Sequence, residues 1–492
     1  MVAEAGVRVV VVVSAVVALL MCAVPAAGRE GEVPAGLGGR IDAHVEEFRE
    51  RQGLGGVAVV VVHRGRVVHA AGYGRDALGR PVSADSVMPV ASLSKSMTAA
   101  AVLRLVEEGL LGLDDPVVEH LPAFDPVDPR GRRITVRHLL EQTSGLASQG
   151  LLSPDRAHKE SLDDAVRILS GMGLAAEPGT AHRYFNGNYW LAAALVQEVA
   201  GVPFADALQD RVFAPLGMGD SASVPAGAAV EGMAPGHLRV LGMRPVRGLP
   251  PDLSTGSGEV VSTARDLGRW LAPYTGAGRA ASGEVFLSEE SVREALAPGT
   301  AGGDYTLGWR LLDDGRWAHG GTEYSHLAQQ LLSADGEWGV AVLDDTFSYL
   351  DTAYPLAAGV LDLAQGRDPA PRPPANLYLD LALGAGVASS AVVGAVRLRR
   401  ARAWGGRLAV RPRWRALVAS VPVLVPAGVV VWLVVLGAAS GAHPRTVWAV
   451  LSGGLVPAGA MVWLAVAALS GVVVAAVRWR ARTRARAGAG QV

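Results

Sequence analysis

The chain has 492 residues and a formal net charge of −1; half of its residues are apolar and 18% are charged. That length holds one large domain plus a second region, and the apolar excess directs the second region towards a membrane. The single cysteine, Cys22, excludes a disulfide framework, and residues 28–376 carry 30 Lys and Arg against 44 Asp and Glu, an acidic surface that repels phosphate backbones and excludes a nucleic-acid partner.

Arg8 precedes an apolar run over 9–24 that closes on the small residues Ala26, Ala27 and Gly28. This predicts a secretory signal peptide over 1–28, the alternative being an uncleaved anchor helix. Bulky Leu20 and Met21 before Cys22 make a poor lipoprotein site. In the domain that follows, 29–366, Ile41, Val45 and Phe48 stand at helical spacing within 36–52, and apolar runs over 57–62 and 66–71 flank Arg64 and Gly65; a helix and then a β-hairpin are predicted. Amphipathic spacing and helix-start residues predict helices over 93–108, 135–141, 162–170, 188–199 and 263–271. Short strands are predicted over 305–312, 316–319, 326–333 and 338–343, with Asp335 and Gly336 turning the last pair, before a helix over 349–363. An early hairpin, a helical middle and late strands imply an α+β domain, one antiparallel sheet built from both ends with flanking helices and a helical subdomain.

Four prolines in 367–376 predict a stiff linker that holds the domain off the membrane. Three apolar runs, 377–396, 416–438 and 447–477, predict three transmembrane helices. Eight arginines separate the first two runs and five lie in the tail 478–492, whereas Arg445 alone precedes the third; loop and tail are therefore expected in the cytoplasm. The domain is then extracytoplasmic on a multi-pass cell-membrane protein, whose helices contact lipid and whose basic inner face suits anionic headgroups. The second and third runs contain no ionisable residue, which argues against a transporter.

The chain uses 43 arginines and only two lysines, Lys95 and Lys159. Lysine differs from arginine in being able to give up its proton and act as a base. Lys95 has a client three residues earlier in Val90-Ala91-Ser92-Leu93-Ser94-Lys95, where residues three apart share a helix face and the positive helix N-terminus favours a serine alkoxide. The plain alternative is a capping serine and a solvated lysine. A second cluster, Arg183-Tyr184-Phe185-Asn186-Gly187-Asn188-Tyr189, holds two of the three asparagines; Tyr184 could relay a proton to a leaving group and Asn186 could hold Lys95 and a substrate amide, or the segment is an ordinary Asn-Gly turn. A third, Trp317-Ala318-His319-Gly320-Gly321-Thr322, is a strand whose glycines would admit a substrate backbone, although His-x-Gly recurs at His63-Arg64-Gly65. None of the 11 histidines forms His-x-His or His-Glu-x-x-His, so no metal and no cofactor are expected.

In this order, Ser92-x-x-Lys95, Tyr184-x-Asn186 and His319-x-Gly321 resemble the three-motif pattern of serine β-lactamases and D-alanyl-D-alanine carboxypeptidases, closest to the class C, DD-peptidase and esterase branch. Residues 56–74, 139–146, 261–267 and 307–309 add to the resemblance, which covers 36–364. It implies a β-lactamase/transpeptidase-like fold and a serine hydrolase working through an acyl-enzyme on D-alanyl peptides, β-lactams or small esters of the cell envelope. Ser92 would be the nucleophile, Lys95 and Tyr184 the proton-transfer groups, and Asn186, His319, Gly321 and Thr322 the substrate-binding residues. The backbone N–H groups of Ser92 and Thr322 would form the oxyanion hole. Two positions depart from the pattern: His319 stands where lysine is usual, and Gln142 where related sequences often have histidine. The alternative function is a non-hydrolytic receptor or scaffold that binds cell-wall fragments or β-lactams in the same pocket.

Overall fold

A computed structural model describes residues 33–148, 159–224, 228, 230–248, 254–439 and 457–489. The predicted signal peptide and residues 447–456 of the third apolar run lie outside them.

Helix α1 (Leu37–Gln52) is bounded by Gly36 and Gly53, both left-handed, and buries Ile41, Val45 and Phe48 as their spacing predicts. Strands β1 (Gly56–His63) and β2 (Arg66–Gly74) are joined through Arg64 (φ 47°) and Gly65 (φ 76°), the two-residue left-handed turn that matches strand twist. Next come α2 (Ser94–Glu107), α3 (Leu162–Ser170), α4 (Asn186–Ala200) and α5 (Ala264–Thr275). Strands β3 (Arg310–Leu311), β4 (Trp317–Glu323), β5 (His326–Leu332) and β6 (Trp338–Asp344) precede α6 (Ala353–Ala364).

The six strands form one antiparallel sheet in the order β2-β1-β6-β5-β4-β3. Its two halves, far apart in sequence, meet where Val57 faces Asp344 and His63 faces Trp338. Every residue of β1 is buried, because both faces of the strand are covered. Val57, Val59 and Val61 pack with Ile41, Leu356 and Leu361 of α1 and α6, while Ala58, Val60 and Val62 share the other core with Leu267, Trp270 and Leu271 of α5. Period-two alternation therefore separates two apolar sets rather than an apolar and a polar one.

The late strands differ from expectation where glycine intervenes. The strand predicted over 305–312 shrinks to Arg310–Leu311, since Gly308 (φ 82°) bends the chain against α2, where a Cβ would come 2.5 Å from Ser96 Cα. The strand predicted to end at 319 runs on through Gly320 and Gly321 to Glu323. The last domain helix starts at Ala353 rather than 349, where Asp351 Oδ1 accepts the Ala353 N–H at 2.9 Å.

After the domain come α7 (Ala375–Ala409), α8 (Val421–Ala439) and α9 (Ala458–Ala489). Among the described residues two helices, α7 and α9, are long and apolar enough to cross a membrane, which corrects the expectation of three clear spans. The middle run is split: Arg413–Val418 is a separate short helix, and α8 has 19 residues with Pro426 inside, about 28 Å against a hydrocarbon core of about 30 Å. A bent pair, α4 with Phe204–Leu216, also passes on composition, yet α4 belongs to the domain core. The arginine-rich stretches are mostly helical: residues 397–407 extend α7, Arg413 and Arg415 begin the short helix, and residues 478–486 extend α9. Arg482 and Arg486 donate to the carbonyls of Leu408, Ala409 and Arg411, at the C-terminal end of α7 where a helix leaves acceptors exposed. Small residues set the α7–α9 crossing: Gly386 lies on Trp463, Gly394 on Ser470 and Gly405 on the Arg478 carbonyl.

The Pro-rich stretch runs along the domain instead of standing it off. Gln52 Nε2 donates to Pro373 O at 3.2 Å, Asn376 bonds both N–H and C=O of Leu350, and Arg239 Nε pairs with Asp380 Oδ2 at 2.7 Å.

Trp270 is fully buried between sheet and helices and donates to Gln330 Oε1 at 3.0 Å. Trp270→Ala is expected to cost about 3–5 kcal/mol and to lower the unfolding temperature of the domain by roughly 6–20 °C, read by calorimetry; an unchanged transition would contradict this packing.

Candidate active site

Ser92 sits on an elbow. Met88 and Pro89 pair with Val261 and Ser262, and the Val90 N–H donates to Val260 O at 2.9 Å. The chain then turns sharply through Ala91, whose φ of 50° is left-handed although it carries a Cβ, a conformation that persists only when its surroundings enforce it. Ser94 supplies the enforcement: its Oγ donates to Ala91 O at 2.6 Å and accepts the Val260 N–H at 3.1 Å. The Ala91–Leu93 turn leads directly into α2. On the opposite side β4 presses in, and a Cβ on Gly321 would fall 2.3 Å from Val90 O, so glycine is required for the strand to lie against the elbow.

Lys95, the second residue of α2 and one turn past Ser92, is wholly buried. Its Nζ donates to Ser92 Oγ at 2.9 Å and to Ser257 O at 2.7 Å, and lies 5.0 Å and 5.8 Å from the ring centres of Tyr184 and Tyr189. Tyr184 Oη donates to Ser92 Oγ at 3.0 Å. Ser92, Lys95 and Tyr184 are thus gathered around one oxygen.

The loop bearing Tyr184 is held from an unexpected place. Gln142, left-handed at φ 61°, accepts the Phe185 N–H at 3.0 Å and Asn188 Nδ2 at 2.6 Å on its Oε1, and its carbonyl accepts the Arg183 N–H at 2.8 Å. Ser144 Oγ completes Asn188 at 2.6 Å. Asn188 is therefore the buried asparagine. Asn186 is the exposed first residue of α4; the bond to Lys95 expected of it is not made, and the Ser257 carbonyl accepts from the lysine instead.

His319 is buried on β4, its Nδ1 2.8 Å from Gly320 O and its Nε2 2.9 Å from Tyr305 Oη. A carbonyl only accepts, so Nδ1 carries the proton and Nε2 takes the tyrosine O–H. Burial, and then the charge of Lys95, push the His319 pKa down to about 3; the ring is neutral. Tyr305 links it to the serine side, with Tyr184 edge-on at 5.8 Å. Gly321 faces Ala328, and exposed Thr322 faces Leu327.

Four contributors were not singled out by sequence reasoning as site residues: the Ser257 carbonyl, Tyr305, the Gln142 side chain and Glu259. Glu259 is a buried carboxyl whose pKa burial raises; it accepts Thr255 Oγ1 at 2.6 Å and the Ser254 N–H at 3.3 Å, bracing the loop that carries Ser257. The run Ser254-Thr255-Gly256-Ser257-Gly258-Glu259 is a small-residue loop with one acid, which was the available signal. Among the described residues no group of three His, Cys, Asp or Glu is placed to hold a metal.

The family model described as Beta-lactamase matches residues 41–382. The chain is 32% identical over 277 residues to penicillin-binding protein 4 of Amycolatopsis lactamdurans, covering 55% of this chain and 70% of that one. It is 35% identical over 209 residues to esterase EstB of Burkholderia gladioli, covering 39% of this chain and 53% of the esterase, about half its length. In three dimensions it shares the fold of the octameric penicillin-binding protein homologue from Pyrococcus abyssi, with a TM-score of 0.58 at 24% identity over 70% of this chain and 81% of that one.

The depressed His319 pKa gives a stability prediction. Below its ordinary value of 6.5 the unfolded chain takes the proton first, so this contribution is complete above pH 6.5 and is lost as pH falls towards about 3. His319→Gln is expected to flatten the decline in unfolding free energy between pH 6.5 and 4, measured by denaturant titration; an identical slope would refute the neutral buried ring.

Proposed function

The chain belongs to the Beta-lactamase family and is a serine hydrolase by that membership; from that premise we propose that it works through an acyl-enzyme on Ser92. The observation that carries the reading is the convergence of Lys95 Nζ and Tyr184 Oη on Ser92 Oγ at 2.9 and 3.0 Å. Ser92 Oγ attacks the substrate carbonyl while Lys95 takes its proton, and the Ser92 and Thr322 backbone N–H groups receive the developing oxyanion. Tyr184, exposed towards solvent and in reach of both Ser92 and the lysine, passes a proton to the leaving group. Water then reverses the sequence and frees the serine. Asn186 and Thr322, both exposed at the rim, and Gly321 contact the substrate.

Substrates on this reading are D-alanyl peptides, β-lactams or small esters. Neutral His319 offers a substrate carboxylate no charge where lysine would, which favours small esters over the carboxylate-bearing β-lactams and D-alanyl peptides. On this reading the domain acts outside the membrane: α7 and α9 both cross it towards their arginine-rich cytoplasmic ends, and α8 carries the chain back between them.

The test uses a labelled penicillin and p-nitrophenyl esters, with the adduct located by mass spectrometry. Wild type is expected to carry the acyl group on Ser92. Ser92→Ala loses it entirely while staying folded, since a helix-start serine contributes at most about 1–2 kcal/mol. Lys95→Arg keeps the charge but not the base, and acylation should slow about 10²–10⁴-fold. An adduct on another residue, or normal turnover in Lys95→Arg, would overturn the assignment; an adduct that forms and never clears would establish the receptor alternative.

A further inference from the structure

A hairpin on the domain reaches beside the membrane helices. Gly236–Leu238 pairs with Val246–Arg247, and the chain reverses through Leu241 (φ 51°) and Gly242 (φ 79°) between Val240 and Met243. This tight turn places Leu241 at the tip. The hairpin is fastened to both apolar helices: Arg239 pairs with Asp380 of α7, and a methyl group on Gly459 of α9 would come within 2.9 Å of Leu241 and 3.1 Å of Leu383. Leu383 lies six residues past the start of the first apolar run, about 9 Å along the helix. The headgroup layer on each side of a bilayer is only about 5–7 Å deep.

The surface matches that depth. Met243 and Val246 are 63% and 58% exposed, and Tyr378 and Leu381 on the adjoining turns of α7 are 58% and 63% exposed. Arg244 is exposed beside them, and Arg247 lies over the Tyr324 ring at 5.7 Å. Asp380, the only acid of 377–492, is paired with Arg239. An apolar tip edged by arginine, with the neighbouring acid paired, is the composition of a segment lying at the headgroup boundary of anionic lipid.

We propose that residues 239–247 form a membrane-contact hairpin, in which Leu241, Met243 and Val246 enter the headgroup–acyl boundary of the bilayer that α7 and α9 cross, and Arg244 contacts anionic headgroups. This rests on α7 and α9 as spanning helices and not on the hydrolase chemistry. The hairpin has a bearing on that chemistry, because Tyr324 under Arg247 is two residues beyond Thr322. One end of the cleft therefore lies at the membrane surface.

The experiment places single nitroxide labels on the full chain with Cys22 replaced by serine, reconstituted in vesicles of phosphatidylglycerol and phosphatidylcholine. Labels at Met243→Cys and Val246→Cys are expected to be more accessible to oxygen than to a water-soluble nickel chelate, whereas a label at Leu78→Cys, 61% exposed on a domain turn, shows the reverse. Val393→Cys on α7 reports the helix and is expected deep in the acyl core. Labels at 243 and 246 behaving like Leu78→Cys while Val393→Cys is deep would overturn the hairpin proposal alone. A water-exposed label at 393 would overturn it together with the spanning of α7. Ester hydrolysis, assayed on the same preparations, reports separately on the proposed function.

Discussion

Lys95 Nζ is completely buried and must find acceptors inside the protein. It has two, and they come from separate parts of the chain: Ser92 Oγ on its own helix turn and Ser257 O in a loop 162 residues away. Bringing them together demands the rest of the domain. The Ser257 loop is anchored by Glu259, by Thr98 Oγ1 on Gly256 O at 2.7 Å and by Trp190 Nε1 on Ser257 Oγ at 3.1 Å. The elbow before Ser92 is held between the Val260 strand and β4, and β4 reaches it only because Gly321 has no side chain. One amine thus couples α2, α4, the 254–258 loop and the sheet, and a shift in any of them changes its geometry towards the serine.

The second constraint is electrostatic. His319 shares the cleft with Lys95, and two cationic groups so close in a desolvated site would repel. Burial and the lysine settle the contest against the imidazolium, and the Gly320 carbonyl fixes the tautomer. The ring then serves as a hydrogen-bond acceptor for Tyr305, which stacks at 5.6 Å on His182 and meets Tyr184 edge-on. Tyr184 is consequently oriented from two sides, by this aromatic group and by Gln142 at the root of its loop.

Much of this was legible in the sequence, for local reasons. Apolar spacing marks α1 and β1 because each packs a single continuous stripe or run, and the scarcity of lysine drew attention to Lys95. What escaped depends on distant partners. Asn186 and Asn188 are two residues apart in the first turn of α4, and which of them turns inward is decided by Gln142 and Ser144, more than 40 residues earlier. Tyr305 had no local feature to separate it from a strand residue; its role comes from His319 across the β3–β4 turn. Glycines hid the full length of β4, since their low strand propensity ends a pattern where the backbone goes on pairing. Hydropathy likewise located apolar runs but not helix ends: alanine and arginine are good helix formers, so α7 continues to Ala409 well past its apolar stretch.

The way residues 367–376 lie along the domain separates two things that a linker usually joins, covalent continuity and attachment. The peptide chain there is the covalent link between domain and helices, but Asn376 at its end on Leu350, and beyond it Asp380 on Arg239 and Gly459 beneath Leu241, grip the domain directly. Cutting the linker would leave these contacts in place. Release of the domain from the helices is therefore a dissociation step with its own rate, set by the buried ion pair and the apolar seat, and not by the scission itself. The same grip denies the domain the free swivel of a tethered enzyme: it leans and turns only as the helix pair does, and the mouth of its cleft keeps a fixed bearing to the axes of α7 and α9.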